Sequence, residues 1–280
     1  MSDFADRYGP WALIAGASDG VGAAFARAIA ERGVNVVLLA RRQAVLDEVA
    51  AGIRSDTGVE ARTLVVDLAR PDAVATVVDA VAGLDVGTLV YCAGADPSYE
   101  PFLDQPLDAH LSMVQRNCVV PMQLAHHLAP ALVARGSGAI VLLSSGAALC
   151  GGPNVVTYAA SKAFDLVLGE ALWAELHDQG VDVLSLVLGA TDTPALRRLL
   201  AQRGTPTGPD DTTPIPGLVS ADQVVAEALA NLANGPTWFV GDELRQSAQL
   251  LGGLPRSEAV TLMADYAGTG LMADHRGEAT

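Results

Sequence analysis

The chain has 280 residues, half of them hydrophobic, and carries a formal net charge of −15 at pH 7. So acidic a balance argues against nucleic acid, whose binding is driven by basic surface, and against anionic membranes and acidic carrier proteins. The apolar content suffices for a buried parallel sheet under helices, and no apolar run approaches the roughly 18 residues that span a bilayer.

The polar, acidic start Met1-Ser2-Asp3-Phe4 is not that of a signal peptide, and Cys92, Cys118 and Cys150 lie in no metal spacing, which fits a reducing, cytoplasmic compartment. Trp11–Ala15 reads as a first strand and Gly20–Arg32 as a helix. Val34–Ala40 is a continuous run of the kind buried on both faces. A helix over Gln43–Thr57, a strand over Ala61–Val66, and a helix opened by Pro71 in its first turn and ending near Ala82 follow. Thr88–Cys92 is a fourth strand. Asp108–Arg135 reads as one long helix kinked at Pro121; within it His126 and His127, adjacent and so pointing apart, give no metal site. Ala139–Leu143, a helix over Thr157–Gln179 and a strand over Val181–Leu188 continue the alternation. Arg203–Gly217, rich in Gly, Pro, Thr and Asp, reads as a mobile loop. A helix over Ser220–Ala233, a strand over Thr237–Val240 and a helical tail that frays after Gly268 complete the chain. No linker interrupts the pattern, which predicts one doubly wound α/β domain over residues 1–280.

Three features carry chemistry. Between the first strand and its helix lies Gly16-Ala17-Ser18-Asp19-Gly20-Val21-Gly22, where glycines let backbone N–H groups at a helix start approach a pyrophosphate. The second strand ends in Arg41-Arg42 rather than in the acid that grips adenosine ribose hydroxyls, and arginine suits a 2′-phosphate, so NADP(H) is favoured over NAD(H). Asp19, beside the phosphate loop, is the one acid that works against this. Finally, the chain holds sixteen arginines and one lysine, Lys162, four residues after Tyr158. Positions i and i+4 share a helix face, and an ammonium there favours a phenolate, which makes Tyr158 a candidate general acid/base.

In order and spacing these features resemble the short-chain dehydrogenase/reductase family, in its non-extended branch, from Tyr8 to about Leu244. The resemblance implies a Rossmann-type sheet of about seven strands and direct hydride transfer between nicotinamide and a carbonyl or secondary alcohol. It implies a tetrad of Asn117, Ser145, Tyr158 and Lys162: Tyr158 exchanges the proton, Lys162 supports it and holds the nicotinamide ribose, Ser145 polarises the oxygen, and Asn117 holds the helix and a relay water. It further implies cofactor contacts from Gly16, Gly20 and Gly22, from Asp67 and Leu68 at the adenine, from Cys92, Ala93 and Gly94, and from Leu188–Thr193 at the carboxamide, including Gly189, Thr191 and Thr193. Ala15, Cys92 and Leu188 depart from the family's threonine, asparagine and proline; the lost hydroxyl at Ala15 is worth about 1 kcal/mol.

Tyr8–Ile14, Asp19-Gly20 and Asn35–Arg41 resemble the hydroxysteroid dehydrogenases and long-chain 3-oxoacyl-CoA reductases, here without their membrane anchor. Substrate contacts are expected from residues 95–102, 147–156 and 194–218, with Leu149, Cys150, Val155, Leu196, Leu199 and Leu200 forming an apolar pocket for a hydrophobic ketone, and Arg197 and Arg198 as candidates for an anionic group. The family also implies a homodimer or homotetramer. A nucleotide-binding sensor or scaffold without turnover is the rival reading, and a lyase or epimerase a more distant one.

Overall fold

The computed structural model describes residues 3–95, 98–202 and 213–269. A short helix α1 (Asp3–Tyr8) leads into β1 (Trp11–Ala15), and strand and helix then alternate: α2 (Gly20–Ala30), β2 (Asn35–Ala40), α3 (Gln43–Thr57), β3 (Ala61–Val65), α4 (Ala73–Val81), β4 (Val86–Tyr91), α5 (Leu107–Val114), α6 (Val120–Arg135), β5 (Gly138–Ser145), α7 (Val156–Leu176) and β6 (Val181–Leu188). Then come β7 (Thr191–Asp192), α8 (Pro194–Gln202), β8 (Val219–Ser220), α9 (Ala221–Asn231), β9 (Thr237–Phe239), α10 (Asp242–Gly253) and α11 (Arg256–Thr269).

Seven strands form one parallel sheet in the order β3-β2-β1-β4-β5-β6-β9, and β7 pairs with β8 in a separate ribbon. Every residue of β1 and β4 is buried. Alternate residues still divide between the two faces: Ala12 and Ile14 pack into one core, Trp11, Leu13 and Ala15 into the other. This explains why the strands read as unbroken apolar runs. The chain leaves β1 toward β2 on one side and returns to β4 on the other, so a crevice opens at the carboxyl ends of these strands.

Two expectations need correction. Pro71 does not lie in the first turn of α4; that helix begins at Ala73 with Asp72 as its cap, and Pro71 precedes both. The long helix expected over residues 108–135 runs unbroken from 107 to 135, but its irregularity is a π-turn, Gln115–Val119, between two α-helical parts and not a simple kink. Pro121 supplies the reason. It has no N–H, and the preceding amide, Val120, donates to Gln115 instead of Arg116. The Arg116 carbonyl is then met from the sheet by the Tyr91 hydroxyl, which donates to it at 2.5 Å. The mobile loop expected at Arg203–Gly217 and the fraying tail lie largely outside the described residues.

Glu227 of α9 fastens the carboxyl-terminal helices to the sheet. It accepts from Trp238 Nε1 at 2.9 Å, from the Gly241 amide at 3.3 Å and from Arg245 at 3.2 Å. Burial opposes its charge, but the Gln223 amide at 3.0 Å, together with these donors, outweighs burial and holds its carboxyl below the usual 4.5. A depressed folded-state value means stabilisation that is present above the unfolded value and lost as pH falls through the folded one. Glu227→Gln is therefore expected to lower the melting temperature at pH 7, with the gap from wild type closing below about pH 4.5 in thermal scans across pH.

Candidate active site

The crevice is a cleft of about 960 Å³. Its floor is the glycine loop: Gly16, Asp19, Gly20, Val21 and Gly22 all line it. Gly16 has φ +86°, and a Cβ there would sit 2.9 Å from the Ala93 amide nitrogen. A Cβ on Gly22 would sit 2.2 Å from the Gly16 carbonyl oxygen. Side chains at either position would force the strand–helix turn open, so the loop needs glycine for close backbone approach.

The opposite wall comes from β5 and α7. Ser145, Tyr158 and Lys162 line the same cleft as the glycine loop, together with Cys92, Gly94, Leu188, Gly189, Thr191 and Thr193. The Tyr158 hydroxyl has no hydrogen-bond partner among the described residues. Ser145 Oγ accepts from the Ala147 amide at 3.2 Å, which aims the hydroxyl and leaves its proton free to point elsewhere. Ser144 Oγ donates to the Lys162 carbonyl at 2.7 Å and clamps α7 onto β5.

Lys162 is 4% exposed. Its Nζ donates to the Leu143 carbonyl at 2.7 Å and to Asp165 Oδ2 at 3.0 Å. Burial alone would pull its pKa down; the Asp165 carboxylate, with Tyr158 next, outweighs this and raises it. Asp165, one turn on along α7, is a partner that the sequence reading missed.

Asn117 is wholly buried in the π-turn and does not line the cleft. Its Nδ2 donates to the Gly94 carbonyl at 3.2 Å and to Ser161 Oγ at 2.9 Å, and its Oδ1 accepts from Arg116 Nε at 3.1 Å. It thus ties the π-turn to the end of β4 and to α7. Asp67, Leu68 and Ala93 lie outside the cleft wall; Asp67 Oδ1 accepts from the Ala69 amide at 3.1 Å and Leu68 is buried. Burial pushes the Cys92 thiol well up, so it stays neutral beside the cleft.

At the end of β2, Arg41 is exposed and makes no hydrogen bond or ion pair among the described residues. Arg42 donates to Asp19 at 2.5 Å and to Ser18 Oγ at 3.1 Å. Arg198 of α8 reaches the same Asp19 oxygen at 3.1 Å. Asp19, the acid that worked against a phosphate, is thereby compensated by two guanidinium groups.

Of the expected substrate contacts, Ala95, Tyr99, Leu149, Val155, Leu196, Leu199 and Leu218 line the cleft. Cys150 and Leu200 do not; both are buried in packing, because Leu200 lies on the side of α8 that faces the protein, with Arg197. Arg197 is 5% exposed and paired bidentately with Asp192 at 2.6 Å, so it is a structural clamp and not an anion receptor. Leu244, Leu251, Leu262 and Met263 of α10 and α11 also line the cleft. The sequence showed these as helical but gave no sign that the helices fold back over the site.

A glycine-rich strand–helix turn facing a Ser/Tyr/Lys wall, at the switch point of a doubly wound sheet, defines a dinucleotide-binding oxidoreductase. The family model for short chain dehydrogenase matches residues 10–204. The 7beta-hydroxysteroid dehydrogenase of Collinsella aerofaciens is 34% identical over 242 residues, covering 86% of this chain and 90% of that protein. A solved 7beta-hydroxysteroid dehydrogenase structure is similar with TM-score 0.84 and 32% identity, over 94% of this chain and 99% of that one. A short-chain dehydrogenase from Sphingobium yanoikuyae in complex with NADPH has TM-score 0.71 and 30% identity, over 89% and 97%. The chain belongs to the short-chain dehydrogenases, a family that binds a nicotinamide cofactor, and is an oxidoreductase related to the hydroxysteroid dehydrogenases. The residues present fit that cofactor, since the Gly16/Gly22 cradle excludes any Cβ and the helix start behind it supplies free amides. No helix among the described residues is long and apolar enough to cross a membrane.

The Tyr91 hydroxyl is buried, and burial pushes its pKa well above the usual 10.0, so it remains a donor to Arg116 at all working pH values. Tyr91→Phe removes that donor from a carbonyl of the π-turn. The expected result is a stability loss of about 1–3 kcal/mol in chemical denaturation.

Proposed function

We propose that this chain is an NADP(H)-dependent oxidoreductase of uncharged, hydrophobic, steroid-like ketones and secondary alcohols, with Tyr158 as general acid/base. The observation that carries the reading is the meeting of Ser145, Tyr158 and Lys162 with the glycine loop in one cleft. Bound nicotinamide supplies the hydride for reduction of a carbonyl and takes it up in oxidation of an alcohol. Tyr158 gives its proton to the carbonyl oxygen or takes it back from the hydroxyl. Ser145 donates to the same oxygen, a neutral donor aimed where charge develops. Lys162 favours the phenolate by its charge and has one N–H left for the cofactor side, two being spent on Leu143 and Asp165.

Preference for NADP(H) rests on Arg41, an exposed cation at the end of β2 with no partner among the described residues. An NADPH complex of a relative with 30% identity supports it. The substrate end is walled by Leu149, Val155, Leu196, Leu199, Leu244 and Met263. Among the described residues lining the cleft Lys162 is the one cation, whereas Asp19, Asp242 and Glu243 are acids. With Arg197 and Arg198 committed to Asp192 and Asp19, little remains to hold a carboxylate or the phosphates of a CoA thioester. Steroid-sized ketones are therefore favoured over 3-oxoacyl-CoA, and the hydroxysteroid relatives agree with that choice. By family likeness the working form is a homodimer or homotetramer in the cytoplasm.

Tyr158→Phe is expected to cut turnover by about 10²–10⁴-fold while leaving the NADPH dissociation constant, followed by fluorescence titration, nearly unchanged. Full activity in that variant would sink the mechanism. Arg41→Ala removes a charge-assisted contact worth roughly 1.5–3 kcal/mol, so the ratio of kcat/KM for NADPH over NADH should fall about ten- to a hundredfold. An unchanged ratio would show that another residue carries the preference.

A further inference from the structure

Asp165 is a buried acid, its pKa pushed up by burial against the pull of the Lys162 ammonium, and is used by nothing in the mechanism so far. Its side chain is 1% exposed, and Oδ2 accepts from Lys162 Nζ at 3.0 Å. Oδ1 is buried with no hydrogen-bond partner. The surrounding helix is fixed tightly: Ser185 Oγ of β6 donates to the Leu166 carbonyl at 2.9 Å and reaches the Asp165 carbonyl at 3.4 Å. A carboxylate with half its acceptor capacity unused is a poor stabilising device, because an apolar residue of similar volume commonly does as well or better. Its one strong interaction is with the ammonium that faces the cleft.

We propose that Asp165 is a positioning residue for Lys162: its carboxylate keeps this buried amine protonated and ties one N–H toward the protein interior, so that Tyr158 meets a fixed and partly compensated positive charge. The inference rests on the reading of Tyr158 and Lys162 as the acid/base pair. A fully buried lysine without a counter-charge tends to lose its proton. The Leu143 carbonyl offers a dipole where Asp165 offers a full charge. Paired with the ammonium at 3.0 Å, the carboxylate also offsets part of the positive charge that the phenol feels.

The other titratable groups around the pair are silent in the working range. Cys92, at the end of β4, and Tyr91 within it are both pushed up strongly by burial. Cys118 of the π-turn is pushed up to about 11, by burial first and then by Asp165 itself. Arg116, also in the π-turn, is cationic throughout and lies close enough to act on Tyr91. β5 and β6 present the Leu143 carbonyl and the Ser185 hydroxyl, neither of which titrates. The coupled set is Tyr158, Lys162 and Asp165, and its apparent midpoints belong to the group.

The composition makes the test direct, because Lys162 is the single lysine of the chain. The untagged protein grown with ¹³C-lysine gives one Cε resonance whose shift follows protonation of that amine. In wild type this resonance should keep its ammonium position beyond the usual lysine range. In Asp165→Asn, which preserves shape and an acceptor oxygen, its midpoint should move to lower pH. The same variant should carry both limbs of the kcat profile for alcohol oxidation to lower pH. The acid limb moves because the ammonium acts uncompensated, and the alkaline limb because the ammonium is lost earlier. NADPH affinity and melting temperature serve as folding controls. Asp165→Leu, if it folds, should lower kcat by about tenfold or more. A Lys162 midpoint and rate profile in Asp165→Asn that superimpose on wild type would overturn the proposal. Failure of the acid/base reading is separable: it would appear as full activity in Tyr158→Phe, whatever the Lys162 resonance does.

Discussion

Lys162 brings a full positive charge to a position that water scarcely reaches, and a charge so placed has to be held from the protein side. The fold supplies the means. Helix α7 packs against β5 and β6 closely enough for the Leu143 carbonyl to accept from Nζ and for Ser144 to grip the Lys162 carbonyl. A Cβ on Gly169 would lie 2.1 Å from Ser185 Oγ, so the same approach depends on a residue without one. Asp165 supplies the counter-charge.

The rest of the site is arranged around that ammonium in two layers. Next to it, Gly94 has φ +128°, and a Cβ there would crowd Asn117 Oδ1 at 2.8 Å and Lys162 Nζ at 3.2 Å. Farther out, Asn117 in the π-turn before Pro121 donates to Gly94 and Ser161, and the Tyr91 hydroxyl donates to the Arg116 carbonyl of the same turn. An irregularity in a helix is thus converted into a fixed polar junction between β4, α6 and α7.

Local pattern made the cofactor half legible. The apolar strand runs, the Gly16–Gly22 loop, Arg41-Arg42 and the lone lysine four places after a tyrosine are all short-range signals, and each recurs in the structure where its period or spacing put it. What escaped the sequence depends on burial and tertiary placement, whether the partner is near or far in the chain. Arg197 and Arg198 read as exposed cations, yet their roles are set by Asp192 and by Asp19, which lies 179 positions from Arg198. Asp165 was invisible as a counter-ion because nothing in its spacing says that this side of α7 is buried. The turn at Pro121 was read as a kink, since sequence cannot say which carbonyl an adjacent amide will choose. Helices α10 and α11 were found, but their return over the cleft is a tertiary fact.

Polarity divides the cleft in a way that ties structure to function. Its glycine-loop end is lined by backbone, with the exposed Arg41 outside the cleft wall at the end of β2, and elsewhere its wall is leucine, valine and methionine with acids at Asp242 and Glu243. The direct measurement is steady-state consumption of NADPH, with NADH in parallel, on a neutral steroid-sized ketone, its carboxylated counterpart and a 3-oxoacyl-CoA thioester. The account predicts turnover with NADPH that is highest for the neutral ketone and falls when the negative charge is added. Preference for the CoA thioester, or tight NADPH binding with no turnover across a wide panel of neutral ketones, would contradict it.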